Sequence, residues 1–310
     1  MDCAMLFPGQ ASQYVGMGRD YYDACDVARD AYKAANKALG FDIAALSFDG
    51  DLDELTKTHN AQPAILVHSI VVYRALVKMG FKPRIVAGHS LGEFSALVAA
   101  GYFDYIDALL IVRKRGELMY EAGLERPGTM AAVIGMDEDG VRGCVEDAAE
   151  AGVVVVANIN SPAQFAISGE VGAVERAVEI AKERGAKRAM KLQVSGAFHS
   201  PLMEPTSKAL VAYIKRFKTS NRLDADWVAN VTGGVLGDPG EVVDLLSKQL
   251  TSPVLWVKSM QRLADIFRGP IFEVGPGKVL TGLMKRIVPD APVQPLTEVE
   301  SLEKALELKG

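Results

Sequence analysis

Hydrophobic and polar positions alternate in two rhythms along this chain. Short apolar runs bounded by Gly, Pro and charged residues read as buried strands, and longer stretches repeat apolar positions at helical spacing. The most apolar helical stretch covers 64–76, with Pro63 just inside its start, after Thr58 and Asn60, and Gly80 beyond its end. Arg84-Ile85-Val86-Ala87 reads as a strand. It runs into Gly88-His89-Ser90-Leu91-Gly92 and a helical run that stops at Gly101. A further helix is expected over 104–122.

The next segment predicts strands at 129–134, 153–158, 164–168 and 188–194, with helices at 137–150 and 171–184. The order β-α-β-β-α-β is that of a ferredoxin-like unit. A small inserted subdomain is therefore expected at 127–196, with 1–126 and 197–310 forming the large one. The rest alternates helix and strand, ending with runs at 271–274 and 292–296. The fold class is α/β, with a mainly parallel sheet covered by helices.

Composition narrows the setting. The chain has 310 residues, 49% hydrophobic and 24% charged, which suits a globular protein with a substantial core. A formal net charge of −5 gives no global pointer to nucleic acid or an anionic membrane. Cys3, Cys25 and Cys144 are odd in number and far apart, so neither a metal site nor a disulfide framework is read from them. A reducing cytoplasm is the simplest context. The first residues lack the basic segment and apolar core of a signal peptide. His68, Ser69 and Arg74 interrupt 64–76, which is too short and polar to span a bilayer.

Gly88 to Gly92 matches G-x-S-x-G, a turn that lifts a serine hydroxyl off the end of a sheet. Flanking bulk would obstruct such a turn. The Leu91 amide, at a helix start, would point at the oxygen of an attacked carbonyl. The alternative is a strand-to-helix turn with Ser90 as a helix cap.

A serine nucleophile needs a base, and four histidines are available. His89 adjoins Ser90 and reads as a brace for the turn. His59 reads as part of a polar loop. His68, among Val67, Ile70 and Val71, reads as a hydrogen-bonded core histidine. His199 lies at the join between the expected insert and the main body, where clefts form, and is favoured by elimination. No Asp or Glu stands in an obvious triad position, which leaves room for a dyad oriented by a backbone carbonyl.

Arg113 has Glu117 four residues on and reads as an exposed ion pair. Arg115 sits on an apolar stripe with Ile111, Val112, Leu118 and Met119. It either snorkels or pairs with an internal carboxylate, or its planar fork awaits a substrate carboxylate.

Taken together and in order, several segments resemble the malonyl-CoA:acyl carrier protein transacylase family of bacterial fatty acid synthesis. They are Phe7-Pro8-Gly9-Gln10-Ala11-Ser12-Gln13, Gly88 to Glu93, Arg115-Gly116, Gly196 to Ser200, Gln249-Leu250 with Ser252-Pro253-Val254, and Gly275-Pro276-Gly277-Lys278. The resemblance implies a hydrolase-like large subdomain with a ferredoxin-like insert. It implies Ser90 as acyl carrier, His199 as base, the amides of Gln10 and Leu91 as oxyanion hole, and Arg115 as clamp for the malonyl carboxylate. It places the Gln249 carbonyl against His199. Gln62 and Met119 align with pocket positions. Asn158 and Asn160 resemble the family's cleft-lining stretch, with Asx-type turns before Pro162 as the alternative. Leu91 and Phe198 resemble the malonyl-selective form of related polyketide acyltransferases. Ala11 departs from the family's usual glycine, which strains the loop if a positive φ is needed there.

The implied substrate is a coenzyme A thioester, with no cofactor and no metal. The implied partner is an acidic acyl carrier protein, for which Lys187, Arg188, Lys191, Lys278, Lys285 and Arg286 are candidate docking charges. A cytoplasmic monomer without nucleic-acid or membrane partners is expected. Rival readings are a stand-alone acyltransferase of a polyketide synthase, a serine thioesterase or hydrolase, and a non-catalytic module of the same fold.

Overall fold

In the computed structural model, which describes residues 1–194 and 196–308, the apolar runs assemble into two sheets. The strands in chain order are β1 (Asp2–Phe7), β2 (Lys82–Gly88), β3 (Gly128–Ile134), β4 (Val154–Ser161), β5 (Gln164–Glu170), β6 (Arg188–Lys191), β7 (Asp226–Ala229), β8 (Gly234–Val235), β9 (Ile271–Glu273) and β10 (Val293–Pro295). The larger sheet has the order β10-β9-β1-β2-β7-β8 and is parallel except for the short edge strand β8.

A parallel sheet must bury both faces, because its crossover helices lie on both. Side chains alternate across it accordingly. Cys3, Met5, Phe7, Val86 and Trp227 enter a core shared with the helix Thr58–Lys78. Ala4, Leu6, Ile85 and Val228 enter the opposite core, with Trp256, Met260 and Leu263 from the helix Trp256–Ile266. Each large side chain buried this way contributes roughly 1.5–3 kcal/mol.

The smaller sheet is antiparallel with the order β4-β5-β3-β6. The helices Glu138–Ala148 and Val171–Glu183 share a separate core with it, built on Val133, Val141, Phe165, Ile167 and Val174. The expected β-α-β-β-α-β order and the two-sheet α/β class are what the chain adopts. The small sheet is tied to the main body by backbone: Ile159 donates to the Val254 carbonyl (3.0 Å) and Val254 to that of Ala157 (2.9 Å).

Several local expectations are corrected. The helix around 64–76 runs from Thr58 to Lys78, so His59 lies in its first turn and not in a loop, and Pro63 lies inside it. Pro63 has no N–H for the His59 carbonyl. Arg113 supplies the missing donor, reaching His59 O at 2.7 Å and Asn60 Oδ1 at 2.7 Å while also pairing with Glu117 at 2.8 Å. Arg113 is thus a tertiary tie as well as half of an ion pair. His68 is fully buried, yet neither ring nitrogen has a partner among the described residues, contrary to the hydrogen-bonded role expected. The helix expected to end at 122 continues to Glu125, and β6 stops at Lys191.

Candidate active site

The chemistry-bearing residues gather beyond the carboxyl ends of β1, β2 and β7. There, strand order turns back on either side of β1, the usual place for a ligand crevice in an open α/β sheet. From β2 the chain turns sharply at Ser90, whose φ is 51°, into the helix Gly92–Ala99. Both flanking glycines are required by close backbone approach. A Cβ on Gly88 would stand 1.9 Å from the Gly92 carbonyl carbon, and one on Gly92 would stand 2.0 Å from the Phe7 oxygen.

Ser90 Oγ lies 2.8 Å from His199 Nε2, and His199 Nδ1 lies 2.8 Å from the Gln249 carbonyl oxygen. A carbonyl can only accept, so Nδ1 carries the proton and Nε2 is left as an acceptor facing the hydroxyl. No carboxylate among the described residues hydrogen-bonds His199, so the arrangement is a dyad oriented by backbone. His199 is 4% exposed, and burial pushes its pKa down to about 3, reinforced by the Arg115 charge and opposed by the Gln249 carbonyl. The imidazole is therefore neutral and able to take a proton.

Arg115 is 1% exposed and reaches toward the same hydroxyl. Nη1 donates to Gln62 Oε1 (2.8 Å), and Nη2 donates to Gln249 Oε1 (2.9 Å) and to Ser90 Oγ (3.1 Å). Its Nε has no partner among the described residues. The guanidinium neither snorkels nor hydrogen-bonds a carboxylate; it is held by neutral oxygens, with the Phe94 ring 5.8 Å away. Burial lowers its pKa to about 10, opposed by the charge of Glu93, which leaves it a cation at neutral pH.

A cavity of about 570 Å³ opens in front of these groups. Ser90, His199, Gln10, Leu91, Arg115, Met119, Asn158, Asn160 and Phe198 line it. Gln62 and Gln249 stand behind, fully buried, each holding Arg115, and Gln62 also donates to Met119 Sδ at 3.3 Å. The amides of Gln10 and Leu91 have no acceptor among the described residues. Ala11 takes φ 76°, and its amide is tied to Gln13 Oε1 at 2.8 Å. Asn158 and Asn160 lie within β4 rather than in Asx turns. Asn160 Oδ1 meets His89 Nε2 at 2.8 Å, so His89 does brace the turn, from across the cleft.

Sequence reasoning passed over two residues. Asn230 follows β7 and braces the turn twice: its Oδ1 accepts from the Ser90 amide (2.7 Å), and its Nδ2 donates to the Gly88 carbonyl (2.6 Å). Glu93 is 1% exposed and accepts from the Asn230 amide (2.8 Å) and from Gln249 Nε2 (2.7 Å). Burial raises its pKa to about 8, against the pull of these donors and of Arg115. Glu93 could have been suspected as a carboxylate in an apolar helix beside the nucleophile. Asn230 gave only its position after a short apolar run. Among the described residues, no group of three or more His, Cys, Asp or Glu is placed to hold a metal ion.

Comparison with known proteins identifies the family. Residues 4–301 match the family described as "Acyl transferase domain". The malonyl CoA-acyl carrier protein transacylase of Escherichia coli K12 is 43% identical over 306 residues, covering 98% of this chain and 99% of that protein. The acyl-carrier-protein S-malonyltransferase structure from Burkholderia pseudomallei superposes with a TM-score of 0.95 at 43% identity, covering 99% of this chain and 100% of that one. A malonyl-transacylase solved in complex with its type II PKS acyl-carrier protein superposes with a TM-score of 0.94 at 38% identity, covering 99% of each chain. The chain belongs to the acyl transferase domain family, among its malonyl CoA-acyl carrier protein transacylases.

Proposed function

We propose that the protein moves the malonyl group from malonyl-CoA to the phosphopantetheine thiol of acyl carrier protein, for fatty acid biosynthesis, through a malonyl ester on Ser90. One observation carries the mechanism. The Ser90 hydroxyl lies within hydrogen-bond reach of both a neutral histidine (2.8 Å) and a buried guanidinium (3.1 Å). An acyl group on Oγ with a carboxylate two carbons along has its counter-charge beside it.

In this reading His199 Nε2 takes the Ser90 proton as Oγ attacks the thioester carbonyl. The oxyanion receives the amides of Gln10 and Leu91, where loss of one donor typically costs ~10²–10³ in rate. The C–S bond then breaks and His199 returns its proton to the coenzyme A thiolate. The carrier thiol enters, His199 takes its proton, and the same steps run in reverse onto the new sulfur. The Gln249 carbonyl orients the imidazole and stabilises its charged form. Arg115 pairs with the malonyl carboxylate, while Met119, Asn158, Asn160 and Phe198 shape the cavity and Gln62 supports the arginine. This chemistry calls on the coenzyme A thioester alone, with no metal or further cofactor. The expected setting is a cytoplasmic monomer, with 127–196 as the insert that walls one side of the cleft; no helix among the described residues is long and apolar enough to cross a membrane.

Intact-mass spectrometry after brief exposure to malonyl-CoA tests the reading. Wild type gains one malonyl increment, Ser90→Ala gains none, and Arg115→Ala gains little; acyl carrier protein then discharges the adduct. Consumption of malonyl-CoA without any adduct and without carrier loading would instead make the protein a hydrolase.

A further inference from the structure

One side chain of this site touches more of the machinery than any role given above requires. The Gln249 carboxamide accepts from Arg115 Nη2 on its oxygen (2.9 Å) and donates from its nitrogen to the Ser90 carbonyl (2.9 Å) and to Glu93 Oε2 (2.7 Å). Those partners dictate its orientation. Arginine can only donate and a backbone carbonyl can only accept, so the amide oxygen must face Arg115. Glu93 reinforces the choice. Its two oxygens meet two donors, Gln249 Nε2 and the Asn230 amide (2.8 Å), and Asn230 in turn holds the Ser90 amide and the Gly88 carbonyl.

We propose that Glu93 is a positioning residue for acyl-group selectivity: through the Gln249 carboxamide it holds the Arg115 guanidinium where a substrate carboxylate can meet it. The proposal rests on the malonyl-clamp reading of Arg115. The donor pattern requires two acceptor oxygens at position 93. A glutamine there would present one nitrogen, and either rotamer would set it against an existing donor, Gln249 Nε2 or the Asn230 amide. Relief of that conflict means turning the Gln249 amide, which would bring its NH₂ against Arg115 and drive the guanidinium out of register. An acyl group without a carboxylate does not use the clamp, so the effect falls more heavily on malonyl than on acetyl.

The test measures kcat and KM for malonyl-CoA and acetyl-CoA, with acyl carrier protein as acceptor, in wild type, Arg115→Ala, Glu93→Gln and Gln249→Met, alongside thermal melts. Gln249→Met removes the carboxamide and keeps the backbone carbonyl that His199 uses, and it decides the matter if Glu93→Gln does not fold. The expected result is a malonyl-to-acetyl preference in kcat/KM lowered by about tenfold or more in both variants, mainly through the malonyl KM. A preference that stays at the wild-type value, or parallel losses for both substrates as from a loosened fold, overturns the proposal. If Arg115→Ala itself keeps the wild-type preference, the clamp reading fails first and this inference falls with it, a result recognisable from that arm alone.

Discussion

Ala11, Ser90 and His199 are the non-glycine residues with positive φ among those described, at 76°, 51° and 57°, and all three lie at the site. Left-handed backbone costs an ordinary residue on the order of 1 kcal/mol, and such strain persists where surrounding contacts impose it. Ser90 and His199 cannot exchange their side chains for relief, but Ala11 can. Ala11→Gly is expected to raise stability by up to about 1 kcal/mol, the relieved strain outweighing the extra freedom glycine gains when unfolded. A lower melting temperature in that variant would contradict strain at this position. The lowered pKa of His199 makes a second prediction. A base must be unprotonated, so a pKa moved from 6.5 to about 3 keeps the base form in place as pH falls through 6.5. Malonyl-enzyme formation should therefore stay nearly flat from pH ~7.5 to ~5.5. Rapid-quench acylation rates that halve near pH 6.5 would show that His199 titrates normally.

At the scale of elements, the helix Thr58–Lys78 carries two features that periodicity does not reveal. Pro63 leaves the His59 carbonyl to Arg113 of the neighbouring helix. Arg113→Ala should cost roughly 1–2 kcal/mol, the loss of its hydrogen bonds to a partly buried carbonyl and to Asn60. The same change in a Pro63→Ala background should cost about 1 kcal/mol less, because an alanine at that position supplies the missing N–H. Strict additivity in denaturant titrations would remove this account. His68, further along, is kept neutral by burial, with its pKa pushed down to about 3. As pH falls below 6.5 the unfolded chain binds a proton that the folded chain refuses, so stability drops from there toward pH 3. His68→Leu should flatten that acid loss in part, because His199 and His89 are also lowered by burial and keep their share. Identical acid profiles for variant and wild type would rule His68 out as a source.

On the scale of the whole molecule, the cleft exists because two sheets with separate cores meet at β4 and Val254. Of the charges considered for carrier docking, Lys191 is paired with Glu175 and Arg286 donates to Gln164 Oε1. Lys187, Arg188, Lys278 and Lys285 have no ion pair among the described residues, and Lys278 is exposed near the cavity mouth beside Val279. Reversal of Lys278 and Lys285 to Glu is expected to raise the carrier KM several-fold and to weaken its salt dependence. Unchanged carrier kinetics would remove these lysines from the docking surface.

What could be read from the chain alone follows from local rules. Alternating apolar runs gave the two sheets, the glycine spacing around Ser90 gave the turn, and the ordered motifs gave the family. Strand and helix patterns depend on neighbours a few residues apart, so they are written into the sequence. The partners of Ser90 are not. His199, Asn230 and Gln249 lie more than a hundred positions away and meet it only when β2, β7 and the two subdomains pack. The same holds for Glu93, an ordinary helix residue by spacing, whose role is set by two donors that arrive from distant elements. Tertiary structure alone decided that a buried arginine would be held by amide oxygens, that the nitrogens of a core histidine would meet no hydrogen-bond partner among the described residues, and that a proline's missing bond would be made good from another helix. Hydrogen bonding and burial between distant segments are properties of the packed chain, and no periodicity in the sequence encodes them.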